Sequence, residues 1–173
     1  LRMDTMITSN LGYLGQPLNL KPMDIRTLVE HAIQDNRAYA EQFGVDFVLA
    51  PDALSTTVSG DETRLIQVMA NLLSNAAKFS PKGSEVNISV MDEDTRVKVV
   101  VSDHGQGVPE DFRDQIFERF TQADSSDKRQ SGGTGLGLSI SAAIVEAHGG
   151  RLDFDSVIGE GTSFYFDLKK IAV

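Results

Sequence analysis

Residues 70–80 read ANLLSNAAKFS, and how this stretch is read decides the fold. It sits in a run that Ser59 and Glu62 open with capping-box spacing and that continues as an amphipathic helix. At about 100° per residue, Leu65, Val68, Met69, Leu72, Ala76 and Phe79 cluster on one broad apolar arc. Asn71, Asn75 and Lys78, spaced i, i+4 and i+7, share a second, narrow stripe that Arg64 and Gln67 extend. A solvated face is one reading of that stripe. Against it, asparagine is a mediocre helix former, and a solvated face more naturally uses Glu, Lys or Gln. An amide oxygen is also a hard, neutral ligand that suits Mg²⁺ held together with phosphate oxygens and water. A lysine one turn on can neutralise phosphate charge. Taken alone, the stripe leaves both readings open.

The bulk properties narrow the choice. At 173 residues, with 40% hydrophobic and 24% charged residues, the chain suits one globular domain with a short appendage. No apolar run approaches the ~18 residues of a membrane span, and no secretory signal opens the chain. The absence of cysteine excludes disulfide and thiolate chemistry. A net charge of −9 with no long basic run argues against a nucleic-acid surface. An acidic protein that binds a polyphosphate then needs a divalent cation, backbone donors or a few placed cations.

Along the chain, residues 1–15 read as the tail of a helix, with Met3, Met6, Ile7, Leu11 and Leu14 near helical spacing. QPLNLKPMD is a Pro-containing connector. Asp24 reads as an N-cap, Ile25, Leu28, Val29, Ala32, Ile33, Ala40 and Phe43 form an apolar face, and Gly44 is the helix stop. VDFVLA is a short strand. EVNISVM and RVKVVVSD alternate around a DEDT turn as a hairpin. HGQGVPEDFRDQIFERF is a Gly-rich loop with short helical pieces, and TQADSSDKRQSGGTG is a polar, Gly-rich loop. LGLSISAAIVEAHGG is a helix with a glycine stop, and RLDFDSV and TSFYFDLKK are strands joined by IGEG. These elements predict an α+β, two-layer α/β sandwich: one mixed sheet covered on one face by about three helices.

Three glycine motifs follow the helix. In SDHGQGVP, residues 102–109, Asp103 ends a Val-rich strand, and Gly105 and Gly107 let backbone approach a flat ligand. A simple turn explains the same letters. In SGGTGLGLSIS, residues 131–141, glycines lead into a helix whose first N–H groups form an anion site. That run is not a P-loop, because Leu138 rather than lysine follows Gly137. Nor is it a dinucleotide fingerprint, because a polar loop rather than a strand precedes it. IGEGTSF, residues 158–164, reads by itself as a hairpin turn.

In this order the pieces resemble the catalytic ATP-binding domain of sensor histidine kinases, within the superfamily that includes gyrase, Hsp90 and MutL ATPase domains. The family's N box matches Asn71–Pro81, its G1 box Asp103–Gly107, its F box Phe117–Phe120, its G2 box Gly133–Ser139 and its G3 box Gly159–Thr162. The resemblance covers roughly residues 22–170. It divides the chain into 1–20, the end of a dimerisation-hairpin helix with its linker, and 21–173, the catalytic domain. It implies ATP and Mg²⁺ as cofactors, with Asn75 as the metal ligand, Asn71 near the phosphates and Lys78 reaching them. Phe79 stacks on or edges the adenine where many relatives carry tyrosine, and Asp103 accepts from the adenine amino group. Gly105, Gly107, Val108, Phe120, Thr134, Gly135, Leu136, Gly137, Leu138 and Thr162 line the nucleotide. Residues 121–134 become a long ATP lid, for which Phe117 and Phe120 serve as anchors or as plain core. Where many relatives carry arginine after the F box, this chain has Thr121-Gln122, a form that resembles kinases with attached receiver domains. Gln122 can hydrogen-bond a γ-phosphate without adding charge, leaving Lys78, Lys128 or Arg129 to supply it.

The same resemblance expects a phosphoacceptor histidine followed by an acidic residue, and none of His31, His104 and His148 matches. His148 ends a helix, where a cation is favourable. The implied partners are the dimerisation/phosphoacceptor domain of the parent kinase and a downstream response regulator receiver domain. No nucleic acid and no membrane contact by this stretch are implied, and the location is cytoplasmic whether or not the parent is membrane-anchored. A related ATPase is the alternative, but such enzymes carry a glutamate before the asparagine, whereas Ala70 and Ser74 stand here. A serine kinase of the anti-sigma type and a module that has lost ATP complete the list. The intact Asn75, Asp103 and G2 glycines argue against the last.

Overall fold

The computed structural model describes residues 17–116 and 137–172. The helix tail at residues 1–15, the F-box phenylalanines Phe117 and Phe120, the lid with Gln122, Lys128 and Arg129, and the G2 residues Thr134, Gly135 and Leu136 lie outside them. The order is β1 (Lys21–Asp24), α1 (Ile25–Gln42), β2 (Asp46–Leu49), β3 (Thr57–Gly60), α2 (Glu62–Phe79), β4 (Glu85–Glu93) and β5 (Arg96–Ser102). A 3₁₀ turn (Glu110–Gln115), α3 (Gly137–Ala147), β6 (Leu152–Val157) and β7 (Gly161–Lys169) follow.

Five strands form one sheet in the order β2-β4-β5-β7-β6. β2 and β4 are parallel, and the other pairs are antiparallel, so the sheet is mixed. Every second residue faces inward: Val86, Ile88 and Val90 on β4, Val97, Val99 and Val101 on β5, Phe164, Phe166 and Leu168 on β7. These pack against Leu28, Val29 and Ile33 of α1, Leu65, Met69 and Leu72 of α2, and Ile144 and Val145 of α3 in one cluster. The two-layer sandwich expected from the alternation is the one observed.

The caps follow local chemistry. The Asp24 carboxylate accepts from the Thr27 N–H at 2.9 Å and begins α1. Gly44 (φ +67°) and Gly149 (φ +82°) end α1 and α3 in the left-handed region, as expected. In both ends the next residue reaches back five positions, Val45 N–H to Ala40 and Gly150 N–H to Val145, which marks a Schellman close.

Three expectations change. The connector is not simply irregular: β1 pairs antiparallel with β3, Lys21 opposite Gly60, as a separate two-stranded sheet. Ser59 belongs to β3, so it does not cap α2; Asp61 does, accepting the Arg64 N–H at 3.3 Å. Phe79, assigned to the apolar arc of α2, is 56% exposed, as the last residue of the helix. Leu73 and Ala77 are buried instead, widening the arc to meet neighbouring helices as well as the sheet.

Candidate functional site

α2 carries its polar stripe along one flank. Asn71 is half-buried, and its Nδ2 donates to the Gly137 carbonyl at 3.1 Å and to Ser141 Oγ at 2.9 Å. It therefore clamps the first turn of α3 onto α2. Asn75 is one turn on and also half-buried, and its side chain makes no hydrogen bond to a described residue. Lys78 has no carboxylate partner among the described residues. Its ammonium lies 5.9 Å from the Phe79 ring centroid, and burial pulls its pKa below the usual lysine range. The flank thus presents an amide and a cation that have no printed partner among the described residues, open to a ligand that carries oxygens.

Asp103 sits where β5 runs out beside β7. Its N–H donates to the Thr162 carbonyl at 2.8 Å, extending the ladder by one residue. Its Oδ1 accepts the Gly105 N–H at 2.9 Å and the Thr162 N–H at 3.2 Å. Both bonds among the described residues fall on Oδ1, which leaves Oδ2 for an outside donor. Burial pushes this carboxyl above its ordinary value, although the two N–H groups and neighbouring His104 oppose that.

The glycines are fixed by what surrounds them. A methyl at Gly105 collides with the Phe79 carbonyl oxygen, so the end of α2 rests on the G1 loop. Gly107 has φ +85°, and a Cβ there lies 2.7 Å from the Val157 carbonyl oxygen. Gly161 has φ +140°, and its missing side chain leaves room for the Asp103 carbonyl. The IGEG turn is thus more than a hairpin: it backs the loop that holds Asp103.

The sequence-expected residues therefore split. Asp103, Gly105, Gly107, Val108 and Thr162 come together at one end of β5 and β7, with the Phe79 backbone against them and Asn71 tied to Gly137. Val108 uses its N–H on Ser156 Oγ at 2.7 Å, so that donor is already committed. Leu138 is half-buried and packs against the core from the start of α3. His148 is not an end-of-helix cation: its Nε2 accepts the Asp61 N–H at 3.0 Å, and Nδ1 faces the Ile144 carbonyl at 2.8 Å. Since an N–H only donates and a carbonyl only accepts, the proton belongs on Nδ1. Sequence reasoning missed Ser141, Asp61 and Ser156. Ser141 and Ser156 are serines at buried positions, which only the structure shows.

Among the described residues no group of three or more His, Cys, Asp or Glu could hold a metal ion. The half-buried Asn75 amide oxygen is a hard, neutral donor on the described flank of α2. That donor set fits Mg²⁺ brought in on a polyphosphate, and does not fit a resident metal centre.

Among known proteins, the model of the "Histidine kinase-, DNA gyrase B-, and HSP90-like ATPase" family matches residues 60–171. The chain belongs to this family. It is 40% identical over 151 residues to the sensor histidine kinase AruS of Pseudomonas aeruginosa, covering 84% of this chain and 14% of AruS. The chain thus spans about a seventh of that relative's length. The full-length structure of ShkA in complex with AMPPNP superposes with a TM-score of 0.81 at 32% identity, over 98% of this chain and 35% of that one. The mycobacterial sensor histidine kinase MprB gives a TM-score of 0.76 at 28% identity, covering 89% of this chain and 99% of that structure. Among the described residues, no helix is long and apolar enough to cross a membrane.

Proposed function

We propose that this chain is the ATP-binding catalytic domain of a two-component sensor histidine kinase, holding Mg-ATP for phosphoryl transfer to a histidine carried elsewhere. The observation that carries the reading is Asp103, a buried carboxylate clamped through Oδ1 by the N–H groups of Gly105 and Thr162. Its second oxygen meets the adenine amino group. A guanine carbonyl in the same place faces a carboxylate and leaves it unpaired. Gly105 and Gly107 let the loop seat against the Phe79 and Val157 backbone and so fix Asp103 for the base, and the exposed Phe79 ring covers the base's edge.

Along α2, Asn75 supplies its amide oxygen to Mg²⁺ on the nucleotide, and Lys78 meets phosphate oxygens. Held there by Asn75, Mg²⁺ would supply neutralisation of phosphate charge. The N–H groups at the start of α3, beyond Gly137, suit an anion. In phosphoryl transfer the protein mainly positions groups and neutralises charge. Gln122, Phe120, Thr134, Gly135 and Leu136 are assigned to the lid side on sequence alone. The partners are a dimerising domain that carries the phosphoacceptor histidine and, downstream, a receiver domain. The runner-up, a hydrolytic ATPase of the same family, lacks a glutamate at Ala70 or Ser74 to activate water.

The test is transfer in trans. The chain is incubated with ATP labelled at the γ-phosphate and a separately produced hairpin domain containing the candidate histidine. Label on that domain, stable in alkali and lost in acid, is expected. ATP hydrolysis without label transfer favours the ATPase reading.

A further inference from the structure

Ser141 is fully buried on α3, in an inward row that it shares with Ile144 and Val145. A hydroxyl buried among apolar side chains is costly unless it is hydrogen-bonded, and here its partner is the Asn71 side chain of α2. An amide nitrogen carries two protons. Asn71 commits both to α3, one to the Gly137 carbonyl at 3.1 Å and one to Ser141 Oγ at 2.9 Å. Its Oδ1 accepts from no described residue. Asn71 therefore has only lone pairs to offer a ligand. Ionised phosphate oxygens also have only lone pairs, so Asn71 makes no hydrogen bond to them while it grips α3. At the far end of α3, His148 Nε2 accepts the Asp61 N–H at 3.0 Å. α3 thus runs antiparallel to α2, with a polar tie at each end of an apolar contact. Apolar packing is non-directional, so these two ties set how far along α2 the helix α3 lies.

We infer that Ser141 is a positioning residue for the triphosphate, acting through the Asn71 amide to fix the N-terminal end of α3 beside the Asn75 flank of α2. This rests on the proposed nucleotide reading and deepens its phosphate half. The N–H groups in the first turn of α3 have no intrahelical acceptor, and an anion is favoured there. Asn75 stands four residues past Asn71, about 6 Å further along α2. The phosphates reach from the Asn75 flank to the start of α3, and the Ser141–Asn71 bond holds those two sides at one separation. At the base end, Asp103 is clamped by Gly105 and Thr162 instead. The two ends of the nucleotide are therefore held by separate bonds.

The test uses Ser141→Ala, Asn71→Ala, their double variant and, as a control, Val145→Ala, an apolar truncation in the same helix. Each is melted without nucleotide, titrated calorimetrically with ATP, and titrated with adenosine by displacement of a fluorescent ATP analogue. Ser141→Ala should weaken ATP binding about twofold to tenfold, the range for one net hydrogen bond, and leave adenosine binding unchanged. Val145→Ala should lower the melting temperature and keep the wild-type ratio of ATP to adenosine affinity. The double variant should match Asn71→Ala alone, because Ser141 acts through that amide. If Ser141→Ala leaves ATP binding unchanged, or weakens ATP and adenosine equally, the inference fails. It fails too if Val145→Ala lowers the ratio as much, or if the losses of the double variant add. Should Ser141→Ala not fold, Ser141→Cys keeps the volume with only a weak acceptor, and an unchanged ratio there overturns the inference. A wild-type chain that binds ATP no tighter than adenosine overturns the functional reading and this inference together.

Discussion

Asp103→Asn separates function from stability. In the wild-type chain burial raises the Asp103 carboxyl above its ordinary value. The folded protein then holds that proton more tightly than the unfolded chain does. The stabilisation this gives is fully present below the ordinary carboxylate value and is lost as pH rises through the raised one. At neutral pH the ionised side chain is therefore a cost to folding. Asparagine keeps an Oδ1 to accept the Gly105 and Thr162 N–H groups, at 2.9 and 3.2 Å, and removes the charge. Its amide nitrogen must then replace Oδ2 and faces the adenine amino group donor to donor. A hydrogen bond to a charged group is worth about 1.5–3 kcal/mol. That converts to ATP binding weaker by about tenfold to a hundredfold. The assay pairs ATP and GTP calorimetry with urea unfolding at neutral and acid pH. The expected result is loss of adenine selectivity with unfolding stability equal to wild type or higher at neutral pH, the difference closing in acid. Normal ATP affinity, or a loss of affinity that tracks a loss of stability, refutes the reasoning.

Two neighbouring asparagines should behave oppositely. Asn75→Ala removes an amide with no described partner and adds a better helix former, so thermal stability should hold or rise by up to about 0.7 kcal/mol while Mg²⁺ dependence of ATP binding disappears. Asn71→Ala breaks the bonds to Gly137 and Ser141 and should cost about 1–3 kcal/mol in chemical denaturation. Gly105→Ala should destabilise by about 1–3 kcal/mol, because the new methyl meets the Phe79 backbone, and should weaken nucleotide binding as well. At Asp24, burial pushes the carboxyl up, but the Ser55 hydroxyl, the Thr27 N–H and hydroxyl, and Arg26 outweigh it and hold it below the ordinary value. Asp24→Ala should therefore cost about 1 kcal/mol at neutral pH, a cost that fades as acid protonates the wild-type carboxyl.

Much of the sandwich was legible because its strands alternate cleanly. RVKVVVS has one face buried along its whole length, and TSFYFDL matches it across the ladder. The β1–β3 pair was not legible: each strand is four residues long, and Pro22 and Gly60 argue locally against pairing that only distant contact provides. Ser59 and Asp61 are both good caps two residues apart, and the choice fell to β3, which takes Ser59. Helical spacing put Phe79 on the apolar arc but holds no information on how well the last residue of a helix is covered. For the site, ordered motifs pointed to Asp103 and its glycines, whereas the partnership of Asp103 with Thr162 spans 59 residues and needed coordinates. Ser156 sits inward on a strand whose other inward residues are Leu152 and Phe154. A serine there is a hint of a polar partner, legible only in retrospect.

The most direct measurement is titration of the folded chain with ATP and with GTP, each with and without Mg²⁺. The account predicts saturable ATP binding that Mg²⁺ strengthens and GTP does not match. A folded sample that binds neither nucleotide, or binds both alike, contradicts it.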